Sequence, residues 1–163
     1  MGGSLYHQLL GRAGGEVPKV CPATALDGFK SLHSAILKGL VLSAHDLSDG
    51  GLAVAATEMG FSGEFGCLVD LDEMSRDPRI YSNETLLFSE TPSRILIEVK
   101  SEDEGAFLRH FGKAAKAAAV RHIGQTTANP IFKVVGLDGS TILEESLQEL
   151  KEVWQKTLPA MLA

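Results

Sequence analysis

Apolar residues recur at helical spacing in Leu26, Phe29, Leu32 and Ile36, which predicts a core helix from Thr24 or Ala25 to Lys38, with Gly39 where a left-handed cap belongs. Leu40 to Ala44 is a short apolar run and predicts a buried strand. Leu52, Ala55, Ala56 and Met59 then define the inward stripe of a helix built from small residues. Phe65, Cys67, Val69 and Leu71 alternate with Gly66, Leu68 and Asp70, a strand pattern, and Ile95, Ile97 and Val99 repeat it within Arg94 to Lys100. Ser101 and Glu104 have capping-box spacing ahead of a helix whose inward residues are Phe107, Phe111 and Ala114 or Ala115. Val120 to Thr126 and Ile131 to Val135 read as two further strands, and Gly136 to Ser140 as a turn. Leu143, Leu147, Leu150, Trp154 and Leu158 line one side of a closing helix that starts at Glu144-Glu145, ends at Pro159 and uses Trp154 as a core anchor. Two shorter helices are expected, one capped by Ser4 and one capped by Ser82 or Asn83 ahead of Leu86, Leu87 and Phe88.

Helices and strands therefore alternate irregularly, with adjacent strands late in the chain, which points to an α+β sandwich rather than a doubly wound sheet. At 163 residues the chain is expected to form a single domain with its own core. A composition that is 44% hydrophobic and 22% charged is that of a globular protein. The net charge of −6, without a basic block, argues against a nucleic-acid role. Cys21 and Cys67 form no CxxC pair, so both are read as buried thiols. No apolar run is long enough to span a bilayer and the first residues do not resemble a secretory leader, so a cytoplasmic location is expected.

The candidate chemistry lies in residues 43–56, where Asp46, Ser48, Asp49 and the pair Gly50-Gly51 meet at a strand-to-helix turn. Ser48 or Asp49 can cap the helix, and the glycines let a ligand approach its free N–H groups. Asp46 and Asp49 could share one site and hold Mg²⁺, a hard cation that takes carboxylate and phosphate oxygens. The same residue types also build an ordinary capped turn, and spacing alone does not separate the two readings. Gly2-Gly3-Ser4 is a second candidate phosphate cradle, and Glu90, Ser93 and Arg94 lie in a polar turn able to contact a nucleotide or a phosphate, although such a turn also simply joins a helix to a strand. His33 is assigned no role. GxGxxG, GxxxxGK[ST] and GxSxG are absent, which leaves the acidic Gly-Gly turn to carry any nucleotide chemistry.

His45-Asp46-Leu47-Ser48-Asp49-Gly50-Gly51-Leu52-Ala53-Val54-Ala55, followed by Leu87-Phe88-Ser89-Glu90-Thr91-Pro92-Ser93-Arg94, resembles the C-terminal domain of the synthetase subunit of phosphoribosylformylglycinamidine synthase, the PurL family of the aminoimidazole ribonucleotide synthetase superfamily. Gly2-Gly3-Ser4-Leu5-Tyr6, Ile123-Gly124 and Leu147 to Trp154 are similar to further segments of that family. The resemblance implies a PurM C-terminal-like α/β sandwich, a mixed sheet with flanking helices, spanning residues 1–163 as one part of a longer subunit. It implies an ATP-dependent ligase of purine biosynthesis that turns formylglycinamide ribonucleotide into the amidine through a phosphorylated amide. ATP and Mg²⁺ are the implied cofactors. The implied partners are the N-terminal portion of the same subunit, a glutaminase subunit and a small accessory subunit.

Carried over residue by residue, the resemblance assigns Asp46, Ser48, Asp49, Gly50 and Gly51 to the nucleotide, with Asp46 also on the metal. It assigns Gly2, Gly3, Ser4, Ser89, Glu90, Ser93 and Arg94 to the substrate. No catalytic residue is expected in this chain, which alone would be inactive, and His45 is read as a hydrogen-bonding residue that holds the turn. Thr91-Pro92 stands where relatives have Ser-Gln or Thr-Gln, which weakens the match of the second segment. Other readings are a non-catalytic half whose nucleotide site serves structure or assembly, and a sister enzyme of the selenophosphate or thiamine-phosphate type. On the nucleotide reading, Gly51→Ala is expected to weaken nucleotide binding and, since alanine is the better helix former, to change stability little.

Overall fold

The computed structural model describes residues 1–117 and 119–162, and the side chains of these apart from 113–117 and 157–162. In chain order the elements are α1 (Leu5–Leu9), α2 (Pro22–Leu37), β1 (Ser43–Asp46), α3 (Gly51–Gly63), β2 (Gly66–Asp70), α4 (Asn83–Phe88), β3 (Ile95–Glu98), α5 (Glu104–Ala117), β4 (Gly124–Thr127), β5 (Ile131–Val135), β6 (Thr141–Ser146) and α6 (Leu147–Leu162). Four strands form a mixed sheet in the order β4-β2-β5-β6, with β2 and β5 parallel and the outer pairings antiparallel. β1 and β3 pair separately as an antiparallel ribbon that sets Asp46 opposite Ile95. The expected α+β class with a mixed sheet and flanking helices is the architecture observed.

Two apolar clusters hold these elements. In the larger, Phe132 and Val134 of β5 and Val69 of β2 meet Leu52, Ala55 and Ala56 of α3, Leu86 and Leu87 of α4, and Leu147 of α6. Small residues along α3 permit this close approach: a Cβ on Gly60 would come within 3.0 Å of the Leu147 side chain. The smaller cluster joins Leu32 and Ala35 of α2 to Phe107 and Phe111 of α5. β3 serves both, since Leu96 packs on the larger cluster while Ile95 and Ile97 pack on the smaller, as the period-two alternation of a strand requires.

Several sequence expectations are corrected. The strand placed at Leu40 to Ala44 begins only at Ser43, and its side chains are half-buried or exposed. Leu40 and Gly39 instead close α2, their N–H groups donating to Ala35 and Ile36 with Gly39 at φ +70°, the paired bonds of a left-handed helix ending. Only Leu32 and Ala35 of α2 are buried, and Leu26, Phe29 and Ile36 remain exposed. Ser101 and Glu104 make no capping box, because Ser101–Asp103 form a 3₁₀ turn and Glu104 lies 2.9 Å from His122 Nδ1. β4 starts at Gly124, not Val120, and Leu143 with Glu144-Glu145 belongs to strand β6 rather than to the last helix. There Leu143 pairs with Val134, and Lys133 Nζ reaches Glu144 at 2.9 Å, so a hairpin partner outweighs the helical spacing. Trp154 is 55% exposed and is not a core anchor, and of the two thiols expected to be buried Cys21 is exposed and Cys67 half-buried. α6 runs on through Pro159, the residue expected to end it. Ala114, Ala115 and Leu158 lie outside the described side chains.

Candidate functional site

The acidic turn follows directly from β1. Leu47 is buried and donates its N–H to the Arg94 carbonyl, which ties the turn to the segment before β3. Gly51 N–H donates to the Ser48 carbonyl at 2.9 Å. Gly50, at φ +81° and ψ −2°, occupies the third position of a type II turn, where a left-handed residue is required. Gly50 is therefore the N-cap of α3, and no side chain caps the helix. Ser48 and Asp49, the expected caps, are instead exposed. Gly51 is also left-handed, at φ +66°, and a Cβ there would stand 2.7 Å from the carbonyl oxygens of both Leu87 and Ser89. Its glycine is thus demanded by the backbone at the end of α4.

What joins the candidate segments is Glu90. Its Oε1 accepts from Gly50 N–H at 3.0 Å and from Leu5 N–H at 2.9 Å, so one carboxylate bridges the starts of α3 and α1. Sequence reasoning assigned Glu90 to a ligand and missed this bridging contact, for which two helix starts in need of an acceptor were the available signal. Ser4 is 2% exposed, and its hydroxyl accepts from His7 N–H. Gly2 packs against the following loop, where a Cβ would meet the Gly15 carbonyl at 2.5 Å, whereas Gly3, at φ +81°, has open space beside it. Tyr6 stacks on Phe88 with ring centroids 4.5 Å apart. Residues 2–5, 46–51 and 89–94, far apart in sequence, are in this way brought side by side.

Arg94 is the electrostatic centre of the group. Its Nη1 donates to Ser89 Oγ at 2.9 Å and more weakly to the Ser89 carbonyl at 3.3 Å, and Ser89 is itself only 9% exposed. Among the described residues no carboxylate pairs with it, and burial holds the guanidinium below the ordinary arginine value. A desolvated cation held only by neutral acceptors gains strongly from an incoming phosphate or carboxylate. Ser93 is exposed and sits at φ +70° after Pro92, a left-handed backbone that residues other than glycine seldom take. Ser93→Gly is expected to keep or slightly raise the melting temperature, by relief of roughly 1 kcal/mol of left-handed strain. Thermal unfolding checks this, and any loss of substrate affinity in that variant then reports the hydroxyl alone.

Asp46 is well placed for a cation. Its carboxylate is 75% exposed, with His45 Nδ1 3.8 Å from Oδ1. The described residues contain no cluster of three or more metal-ligating side chains, so this chain would supply one or two carboxylates and no cage. That suits Mg²⁺, which keeps waters and phosphate oxygens in its shell. Two surface concavities, one lined by Leu68, Asp70, Glu73 and His122 and one by Asp72, Arg76 and Arg121, include none of the candidate residues.

Comparison with known proteins supplies the context for these segments. Residues 12–136 match the family described as AIR synthase related protein, C-terminal domain. The chain is 37% identical over 136 residues to phosphoribosylformylglycinamidine synthase subunit PurL of Lactobacillus helveticus (strain DPC 4571), an alignment that covers 83% of this chain and 16% of that protein. It thus spans about a sixth of the length of that relative. Among solved structures, T. maritima PurL complexed with FGAR matches with a TM-score of 0.70 and 21% identity, covering 82% of this chain and 22% of that one. T. maritima PurL complexed with ATP matches with a TM-score of 0.64 and 22% identity, covering 74% and 20%. At that identity these structures establish the shared fold.

Proposed function

This chain belongs to the family of AIR synthase related C-terminal domains, and we propose from that premise that it is one part of an ATP-dependent ligase of purine biosynthesis, making formylglycinamidine ribonucleotide. The observation that carries the reading is the Glu90 bridge, whose carboxylate accepts from Gly50 of the acidic turn and from Leu5, next to Gly2-Gly3-Ser4. In this reading Asp46, Ser48, Asp49, Gly50 and Gly51 attend the nucleotide. Gly2, Gly3, Ser4, Ser89, Ser93 and Arg94 attend the ribonucleotide, with Arg94 on an anionic group. Glu90 acts by fixing the geometry of both sets. Asp46 would hold Mg²⁺, which supplies charge neutralisation for the transferred phosphoryl group. The chain's own groups bind and orient, and the reacting groups come from the N-terminal portion of the same subunit, with ammonia supplied by a glutaminase subunit and an accessory subunit completing the assembly.

The exposed row Leu26, Phe29 and Ile36 supports that arrangement, because a helix with an apolar stripe of this kind ordinarily buries it against something. No helix among the described residues is long and apolar enough to cross a membrane. The test is Asp46→Asn in the subunit that carries this domain. Loss of turnover and of Mg²⁺-dependent ATP binding, with the melting temperature in place, is the expected result. Normal turnover with loss of assembly or stability would instead make this face a structural half.

A further inference from the structure

Behind Asp46 lies a chain of polar contacts that the proposed site does not use. Glu58, two turns into α3, has Oε2 3.1 Å from His45 Nε2, while its Oε1 accepts from Trp154 Nε1 of α6 at 3.0 Å. On the other side of the His45 ring, Nδ1 lies 2.6 Å from the Asp46 carbonyl oxygen. Glu58 and His45 are both about one quarter to one third exposed, at 26% and 32%, so solvent only partly competes for these bonds. The imidazole is wedged between a carboxylate anchored in α3 and the carbonyl oxygen of the residue whose side chain faces the proposed cation. Phe61, one turn further along α3, backs the Trp154 ring at 5.5 Å.

We propose that Glu58 is a positioning residue for the metal-nucleotide site. Acting through His45, it fixes the peptide of Asp46 and so the direction in which that carboxylate is presented, with Trp154 holding the Glu58 carboxylate in place. This rests on the reading that Asp46 serves a Mg²⁺-nucleotide. Contacts one layer behind a ligand commonly change metal affinity by about 10- to 100-fold when removed, although they never touch the ion.

The experiment is a double-mutant cycle in the complete subunit, read by calorimetric titration of ATP across a Mg²⁺ series, with thermal unfolding alongside. Glu58→Gln keeps the side-chain shape and an acceptor for Trp154. It is expected to raise the ATP dissociation constant at limiting Mg²⁺ by about tenfold, with much of the loss recovered at saturating Mg²⁺. In an Asp46→Asn background the same change is expected to add less than about twofold, because the side chain it positions is gone. Trp154→Phe, which removes the indole N–H and leaves a smaller ring beside Phe61, is expected to give a smaller shift in the same direction and covers the case in which Glu58→Gln does not fold. Unchanged affinity in a folded variant, or an equal loss with and without Asp46, overturns the inference. If the unsubstituted subunit binds ATP independently of Mg²⁺ and of Asp46, the nucleotide reading fails, and the positioning role fails with it.

Discussion

Gly51→Ala is expected to destabilise this chain by about 2 to 4 kcal/mol, the sum of a left-handed backbone penalty of 1 to 2 and an overpacking penalty of similar size. The φ of +66° is one that an alanine adopts only at that penalty, and the added methyl would lie 2.7 Å from two carbonyl oxygens. Those oxygens belong to Leu87 and Ser89, backbone at the end of α4, so neither can swing aside as a flexible side chain would. The helix propensity of alanine does not offset this, because the preference applies to residues with helical backbone angles and Gly51 does not have them. For a chain of this size the melting temperature should fall by roughly 10 °C. An unchanged melting temperature would mean that the turn at 48–51 does not have the conformation described. The expectation of little stability change is therefore reversed by the structure, and weakened nucleotide binding in this variant would not by itself prove a ligand contact.

Replacing Glu90 by alanine should have the second-largest effect, on both stability and binding. It removes the one acceptor shared by Leu5 N–H and Gly50 N–H, and hydrogen bonds to a charged group are worth about 1.5 to 3 kcal/mol each. Gly50 N–H is partly buried and has the more to lose, whereas water can replace the acceptor at the more exposed Leu5. Thermal unfolding should show a drop of several degrees in Glu90→Ala and much less in Glu90→Gln, which retains an oxygen acceptor. If the carboxylate aligns two segments on one ligand face, Glu90→Ala should also abolish binding of both ATP and the ribonucleotide, measured by calorimetry in the complete subunit. Loss of one ligand with full retention of the other would break that link.

Much of the fold was legible because local signals and tertiary context agreed. Ser4 and Ser82 cap their helices as their positions suggest, and Ile131–Val135 with the following turn appears as read. The misreadings occur where a distant partner decides. Leu143 fits a helical stripe, but β5 offers a pairing edge that no local pattern reveals. Leu26, Phe29 and Ile36 look like core residues, yet nothing in the described chain covers them. In the candidate site, residue types marked segments that the fold brings together, without their geometry. Glu90 bridges two helix starts 40 and 85 residues away, and only the folded chain shows that its partners are amides. That no carboxylate among the described residues pairs with Arg94 is likewise invisible in sequence, since it is a fact about which acids are not nearby.

The bridge at Glu90 also bears on the order in which the molecule assembles. The β5-β6 hairpin closes a short loop, with Lys133 and Glu144 only 11 residues apart, whereas Glu90 must find Leu5 across 85 residues. Closing the longer loop is entropically dearer by about 1.8 kcal/mol, from three doublings of length at roughly 0.6 each. Local sheet structure should therefore form first on refolding, and the candidate face should close late. A probe in the sheet would then recover before ligand binding does, with a lag between the two that shortens when Leu5 and Glu90 are brought closer in the chain by circular permutation.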